Sequence, residues 1–345
     1  MSVVLSREPD KTKPGGGSKP SSVLSQLPIV RLRLTVELHQ ALDWPANGGA
    51  LLRSVFGRAL RKAVCSTGLP RCDTCPLRPN CIYPMILETP PQPTQFAQRF
   101  TQVPNPYVIE PPAGPRVLRA GTYMSFGMVL IGQRILRELA LILRAWQRAL
   151  ATGLGPRRVT GRLSAAHAID ATGEPCPVFG PVSSRPVAGI LPALDLSTLA
   201  KTTAPAQQTC MVELELTSPL RLQHNSHPLR PEELTPRVFV SHLLRRINLL
   251  LDLHLGVRPA PFDASALVRL AERVEHDSSA VRWTELHRYS ARQKRSVPQG
   301  GLVGCWRWHG EIAPLWDWLI LGQWLHVGKG CTSGLGQYRA VVLDR

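Results

Sequence analysis

The stretch Leu325-His-Val-Gly-Lys-Gly-Cys-Thr-Ser-Gly-Leu-Gly-Gln-Tyr338 places four glycines and one lysine in a single loop. An apolar segment, 314–325, with Trp316, Trp318 and Trp324, runs into it, and a short alternating segment, 338–343, leaves it. The predicted order is helix, glycine loop, strand. Phosphate loops of nucleotide-binding enzymes run the other way, strand to loop to helix, and aim a helix N-terminus at the anion. The G-x-x-x-x-G-K-[ST] spacing also fails, because Gln323 stands where its first glycine belongs and Gly330 follows Lys329. These departures argue against a nucleoside-triphosphatase. Two readings stay open: a backbone whose N–H groups approach a polyanion beside one lysine, or an ordinary glycine-rich turn.

Moving outward, the chain carries 41 Lys plus Arg against 24 Asp plus Glu, a net charge of +17. Such an excess favours polyanionic partners, nucleic acid first. Arginine supplies most of it, and its planar fork suits phosphates and base faces. No apolar run approaches the ~18 residues that would span a bilayer, and the N-terminus lacks a signal-peptide layout, so a cytoplasmic protein without membrane contact is expected.

Residues 1–26, rich in Gly, Pro, Ser and Lys, read as a disordered tail. The alternation over Ile29–Leu38 predicts a half-buried strand, and 50–64 predicts a helix. Strand-like 82–88, 107–110 and 122–131, a helix over 135–150 and a strand over 159–168 follow. This is the order of a ferredoxin-like unit over 27–170. Residues 171–209 read as linker. A second round, 210–345, has a strand at 211–217, helices at 236–255 and 264–275, a hairpin pair at 281–293 and 301–308, the Trp-rich helix and the last strand. The expected class is α+β: two tandem ferredoxin-like (RRM-like) domains, with a glycine loop at 328–336 that echoes the helix, glycine turn and strand around Gly153. The tryptophans Trp306, Trp308, Trp316, Trp318 and Trp324 are expected in the core.

Four of the eight cysteines, Cys65, Cys72, Cys75 and Cys81, fall in 65–81 with spacing C-x6-C-x2-C-x5-C. A C-x2-C pair with two flanking cysteines can close a tetrahedral thiolate site, and prolines keep the segment out of regular structure. A structural metal in the first domain is expected, zinc ahead of an iron–sulfur cluster, against free structural cysteines. The segment 282–295 interleaves Arg288, Arg292, Lys294 and Arg295 with Trp283, His287 and Tyr289, a pattern suited to RNA phosphates and stacked bases. A solvated basic hairpin is the alternative. Arg245 and Arg246, on the predicted 236–255 helix, are assigned phosphate contacts, although helix arginines are usually solvated.

The tail, the run Trp283-Thr-Glu-Leu-His-Arg-Tyr-Ser-Ala-Arg-Gln293 and the turn Gly300-Gly-Leu-Val-Gly304 together resemble the C-terminal domain of CRISPR-associated repeat-processing endoribonucleases of the RAMP superfamily. Leu51-Leu-Arg-Ser-Val-Phe-Gly57, the cysteine cluster running into Tyr83 and the Gly153-Leu-Gly155 turn extend the resemblance over roughly 28–345. It implies a precursor-RNA endoribonuclease that binds CRISPR repeat RNA and cleaves it without metal, by attack of the 2′-hydroxyl, to give mature crRNA. The alternative it implies is a non-catalytic guide-RNA-binding subunit, with other Cas effector subunits as partners. No cofactor is expected for catalysis. A base, an acid and a cation are then required. The family places catalytic histidines between the first strand and first helix, or at the start of that helix. His39 is the histidine of this region, with His326 and His242 as competitors. For members lacking such a histidine, Tyr289, Arg292 and Lys329 are the candidates. RNA-binding roles are expected for Arg245, Arg246, Arg288, Lys294, Gly328, Lys329, Gly330, Gly334 and Gly336.

Overall fold

A computed structural model of the chain describes residues 26–90, 103–180, 191–224, 227–257, 260–290 and 295–343. Its N-terminal half is built on β1 (Ile29–Leu38), whose alternation sends Leu32, Leu34, Val36 and Leu38 into the core and leaves Arg33 outside. A loop then reaches α1 (Gly48–Val64), capped where the Asn47 side chain accepts from the Ala50 N–H at 3.2 Å. There follow β2 (Tyr107–Glu110), β3 (Tyr123–Ile131), α2 (Leu139–Thr152), β4 (Gly161–Ile169) and β5 (Pro175–Phe179). The strands form one antiparallel sheet in the order β2-β3-β1-β4-β5. Phe56 of α1 stacks on Trp146 of α2 with ring centroids 4.8 Å apart, joining the two helices over the sheet. Gly153, at φ 106°, ends α2 where the glycine turn predicted.

The C-terminal half contains β6 (Thr209–Leu220), α3 (Pro236–Leu250), α4 (Ala264–Glu272), β7 (Glu275–Asp277), β8 (Val281–Thr284), β9 (His287–Ser290), β10 (Arg295–Pro298), β11 (Gly301–Glu311), α5 (Ala313–Leu325) and β12 (Arg339–Val342). Its sheet runs β7-β11-β6-β12, with β8 also paired to β11. In both halves the spatial order is second, third, first and fourth strand, that of a βαββαβ unit. Two buried clusters form, one within the first half and one centred on the second that also takes in Leu27, Ile29, Val108, Val129 and Ile131. Trp306, Trp308, Trp316, Trp318 and Trp324 all lie in the second. They are packing residues, and α5 is apolar on nearly every side because α3, α4 and the helix Leu196–Thr203 surround it.

Several expectations are corrected. The 82–88 run is a helix, Ile82–Leu87, burying Pro84, Ile86 and Leu87 beside α1; so short an apolar run has no period that separates strand from buried helix. The 135–150 helix is interrupted into Gln133–Leu136 and α2. The 236–255 helix gives way after Leu250 to a π-turn, Leu251–Leu255. Much of the presumed linker is ordered: β5 extends the first sheet, and Leu194–Asp195 pairs with Gln26–Leu27. Asp195 then caps Leu196–Thr203 by accepting from the Thr198 N–H at 3.0 Å. Gln26 therefore belongs to the fold, whereas 1–25 lie outside the described residues. The expected 281–293 strand is divided: β8 pairs with β11, and β9 pairs with β10 as a separate two-stranded ribbon. Among the described residues no helix is long and apolar enough to cross a membrane.

Candidate functional site

The two halves meet where the glycine loop of the second is pressed against β2 and the start of α1 in the first. A Cβ on Gly49 would fall on the Ser333 carbonyl, and one on Gly334 would strike Pro111 and come within 2.9 Å of the Ile109 carbonyl. Glycine is needed at these two positions so that backbone can approach backbone. The loop's own N–H groups are largely used. Val327 donates to Gly336, Lys329 to Arg221, Ser333 to Gly330, Gly334 to Cys331 and Gly336 to Pro219, at 2.8–3.0 Å. The loop is mainly a wedge between the halves. Gly334 and Gly336 are buried, Gly328 and Gly330 half-buried, and Lys329 is exposed. These contacts take up part of the loop's backbone, so the loop is a wedge as well as a glycine-rich turn beside one lysine.

Beneath the loop lies a buried ionic group. Arg31 of β1 donates to Glu110 Oε1 at 2.9 Å and to the Gln323 carbonyl at 3.2 Å, and its guanidinium lies 4.4 Å from the centre of the Trp324 ring. His326 is fully buried. Its Nδ1 lies 3.1 Å from the Leu335 carbonyl, and its Nε2 stands 3.5 Å from Glu110 Oε1. Burial pushes the His326 ring below its ordinary value despite Glu110. Burial also pushes the Glu110 carboxyl up, but Arg31 and His326 more than offset it and hold it below the usual carboxylate range. This group joins the halves. It also removes His326 from the catalytic candidates, because a ring with no exposed surface cannot touch an RNA.

On the open side of the junction the β9–β10 ribbon is tied to both halves at its base. Asn47, the cap of α1, donates from Nδ2 to Gln299 Oε1 at 2.7 Å. Arg221 donates from Nη1 to the Pro298 carbonyl at 2.8 Å, and its own carbonyl receives the Lys329 N–H at 2.9 Å. The exposed His287 opens the ribbon, directly beside these contacts. Arg221, Lys329, His287, Asn47 and Gln299 are thus brought near one another by these contacts at the base of the ribbon, beside the N-terminus of α1, where the helix dipole adds positive potential. Beside the ribbon's base, His224, His227, Arg230, Glu232, Glu233 and Trp283 line an open concavity of about 790 Å³.

The other predicted residues are dispersed. His39 follows β1 and is exposed, with Nδ1 3.4 Å from Thr160 Oγ1. Glu110 lies level with Arg33 across β3, so the six residues on to His39 place it about 20 Å further along the sheet. The strand–helix loop instead delivers Asn47 to the second half. Arg246 is structural, donating from Nε to the Leu325 carbonyl at 2.9 Å at the end of α5. Arg245 sits 2.6 Å from His242 Nδ1, and burial with the Arg245 charge lowers His242 to about 4. Arg288 and Tyr289 occupy β9, but their side chains, together with Arg292 and Lys294, lie outside the described residues. Asn47, Gln299 and Arg221 escaped the sequence reading because nothing local marks them. Cys65, Cys72, Cys75 and Cys81 share one insertion as free thiols. Among the described residues no three His, Cys, Asp or Glu side chains stand in metal-ligating geometry.

Residues 214–338 match the family model of the CRISPR-associated endoribonuclease Cas6, and residues 27–187 match a model described as an N-terminal domain. No curated protein matches the chain. Among solved structures, a partial Cas6-RT-Cas1–Cas2 complex is similar at 16% identity and TM-score 0.55, over 93% of this chain and 47% of that one. This chain spans about half the length of that relative. A product complex of a Thermus thermophilus Cas6 is similar at 17% identity and TM-score 0.52, over 92% of this chain and 100% of that one. At such identities the likeness shows a shared fold.

Proposed function

We propose that this chain, whose residues 214–338 match the family model of the CRISPR-associated endoribonuclease Cas6, binds the repeat of a CRISPR transcript at the base of the β9–β10 ribbon and cuts it to release mature crRNA. One observation carries the proposal. The Cas6-matching segment 214–338 supplies Arg221, His287, Gln299 and Lys329, and the fold gathers them around Asn47 of the other half. We read the two halves as tandem ferredoxin-like domains, the first contributing the N-terminus of α1 and the second the basic ribbon and loop lysine.

The reaction consistent with these groups needs no metal. The 2′-oxygen attacks the adjacent phosphorus, a base takes the 2′-proton, the P–O5′ bond breaks and an acid protonates the departing 5′-oxygen. A cation offsets the phosphorane charge. In this reading Lys329 and Arg221 provide the cationic groups, and His287 stands as acid or base at the ribbon's base. Tyr289 belongs to β9 of the same ribbon, and Arg292 lies outside the described residues. The function places the protein in the cytoplasm, with repeat RNA and other Cas subunits as partners.

A second reading, a guide-RNA-holding subunit that does not cut, draws support from the burial of His326 and the distance of His39 from the ribbon's base. Incubation in excess EDTA with repeat RNA, and with the same RNA carrying one 2′-deoxy at the cut, separates the two. Cleavage of the first RNA and survival of the second is expected. Tight binding with neither cut would leave the guide-holding reading.

A further inference from the structure

Cys65 to Cys81 form an insertion between α1 and the helix Ile82–Leu87 that has no apolar core. None of its residues is buried, and Cys65, Cys72, Cys75, Arg78 and Cys81 are the only ones not fully exposed. Its two leucines turn outward, Leu69 at 37% and Leu77 at 50% exposure. The four cysteines are therefore half-buried in a segment where only Arg78 is otherwise shielded. Ordering a backbone costs conformational entropy, and no buried hydrocarbon is present here to offset it.

The backbone is nevertheless closed into turns. The Cys75 N–H donates to the Cys72 carbonyl at 3.2 Å, and the Arg78 N–H donates to the Cys75 carbonyl at 3.1 Å. The Thr67 hydroxyl lies 3.9 Å from Cys65 Sγ and 3.6 Å from Cys75 Sγ. The Thr67 hydroxyl thus stands between the Cys65 and Cys75 sulfurs, beside the Cys72–Cys75 turn.

We propose that Cys65, Cys72, Cys75 and Cys81 hold a structural zinc ion, reached from this arrangement by rotation of the thiols about χ1 around the closed Cys72–Cys75 turn. Tetrathiolate ligation supplies the free energy that the insertion's own packing lacks. Binding takes up one divalent cation and releases up to four thiol protons. No electron is transferred. The ion ties the last turn of α1, where Arg61 bonds the Leu69 carbonyl and lies over the Tyr83 ring, to the helix that follows. It also steadies Arg78 and Pro79, which line a small cavity of about 130 Å³ together with Leu253 and His254 of the other half. The zinc is thereby a brace for the seam between the halves, independent of whether the chain cuts RNA.

The test is metal release from the full chain, purified without a histidine tag and under reducing conditions. Titration of the thiols with an organomercurial, in the presence of a chromogenic zinc chelator, is expected to release about one zinc per chain. Cobalt(II) in its place is expected to give a thiolate charge-transfer band and the strong visible bands of a tetrahedral site. The pair Cys72→Ser and Cys75→Ser should lose both signals, and Cys176→Ser should keep them. Because the paired variant can fail to fold, the native-chain stoichiometry and cobalt spectrum decide the matter alone. A metal-free chain with all eight thiols titrating as free would overturn the proposal, as would a disulfide within the cluster or a brown chain containing acid-labile sulfide.

Discussion

Asn47 and Gln299 are joined by a 2.7 Å hydrogen bond although 252 residues of chain separate them. Asn47 also caps α1, so a single side chain sets the start of a helix in one half and the base of the basic ribbon in the other. Asn47→Ala therefore removes a helix cap, worth about 1 kcal/mol, and releases the ribbon. The expected result is a modest fall in Tm with a larger fall in RNA affinity. Asn47→Asp keeps the cap but loses the Nδ2 donor, so it should restore most of the Tm and little of the affinity. Parallel recovery of both would show that the bond to Gln299 does not position the ribbon.

The Arg31–Glu110 pair should be costly to break. Removing one member of a fully buried pair costs about 3–5 kcal/mol. Arg31 is one-quarter exposed and Glu110 one-tenth, so we expect about 2 kcal/mol for Glu110→Gln. Denaturant unfolding measures it, and a change below ~0.5 kcal/mol would mean that the pair is screened by water.

Gly334 has φ 83° and touches the Ile109 carbonyl region of the other half. Gly334→Val combines backbone strain with a clash, and at least about 2 kcal/mol of destabilisation is expected. Limited proteolysis should then cut between the halves faster than in the parent chain. Unchanged proteolysis and Tm would deny the loop its wedge role.

Acid should weaken the fold through its inward histidines. His242 and His254 are lowered to about 4, chiefly by burial, against an ordinary value of 6.5. The unfolded chain therefore binds their protons first as pH falls. The stability they contribute is complete above pH 6.5 and is lost progressively down to about pH 4. His254→Gln can keep a donor for the Pro104 carbonyl, which His254 Nε2 approaches at 2.8 Å, and should flatten the slope in that window. An equally steep pH dependence in that variant would assign the effect elsewhere.

Lys329→Ala should weaken repeat-RNA binding and lower the slope of log affinity against log salt by roughly one contact, about 0.7–0.9. His287→Ala should slow cleavage by about 10²–10⁴-fold at unchanged affinity, and His39→Ala should cleave like the parent. The opposite ranking of the two histidines would move the chemistry from the ribbon's base to the far end of the first sheet.

Local patterning along the chain was enough to determine much of this protein: the alternation of Ile29–Leu38, the glycine stop at Gly153, the two rounds of strand and helix, and the buried tryptophans. Each of these depends on neighbours within a turn or two, where spacing and backbone preference act directly. The short run 82–88 was not legible, because both a strand and a buried helix satisfy its apolar residues. The tertiary structure alone decided that the glycine loop would be a wedge, that His326 would be sealed beside Glu110, and that Asn47 would reach the ribbon in place of His39. Those outcomes depend on which carbonyls and side chains the two halves present to each other across the junction. Residues hundreds of positions apart carry no periodicity that records that meeting.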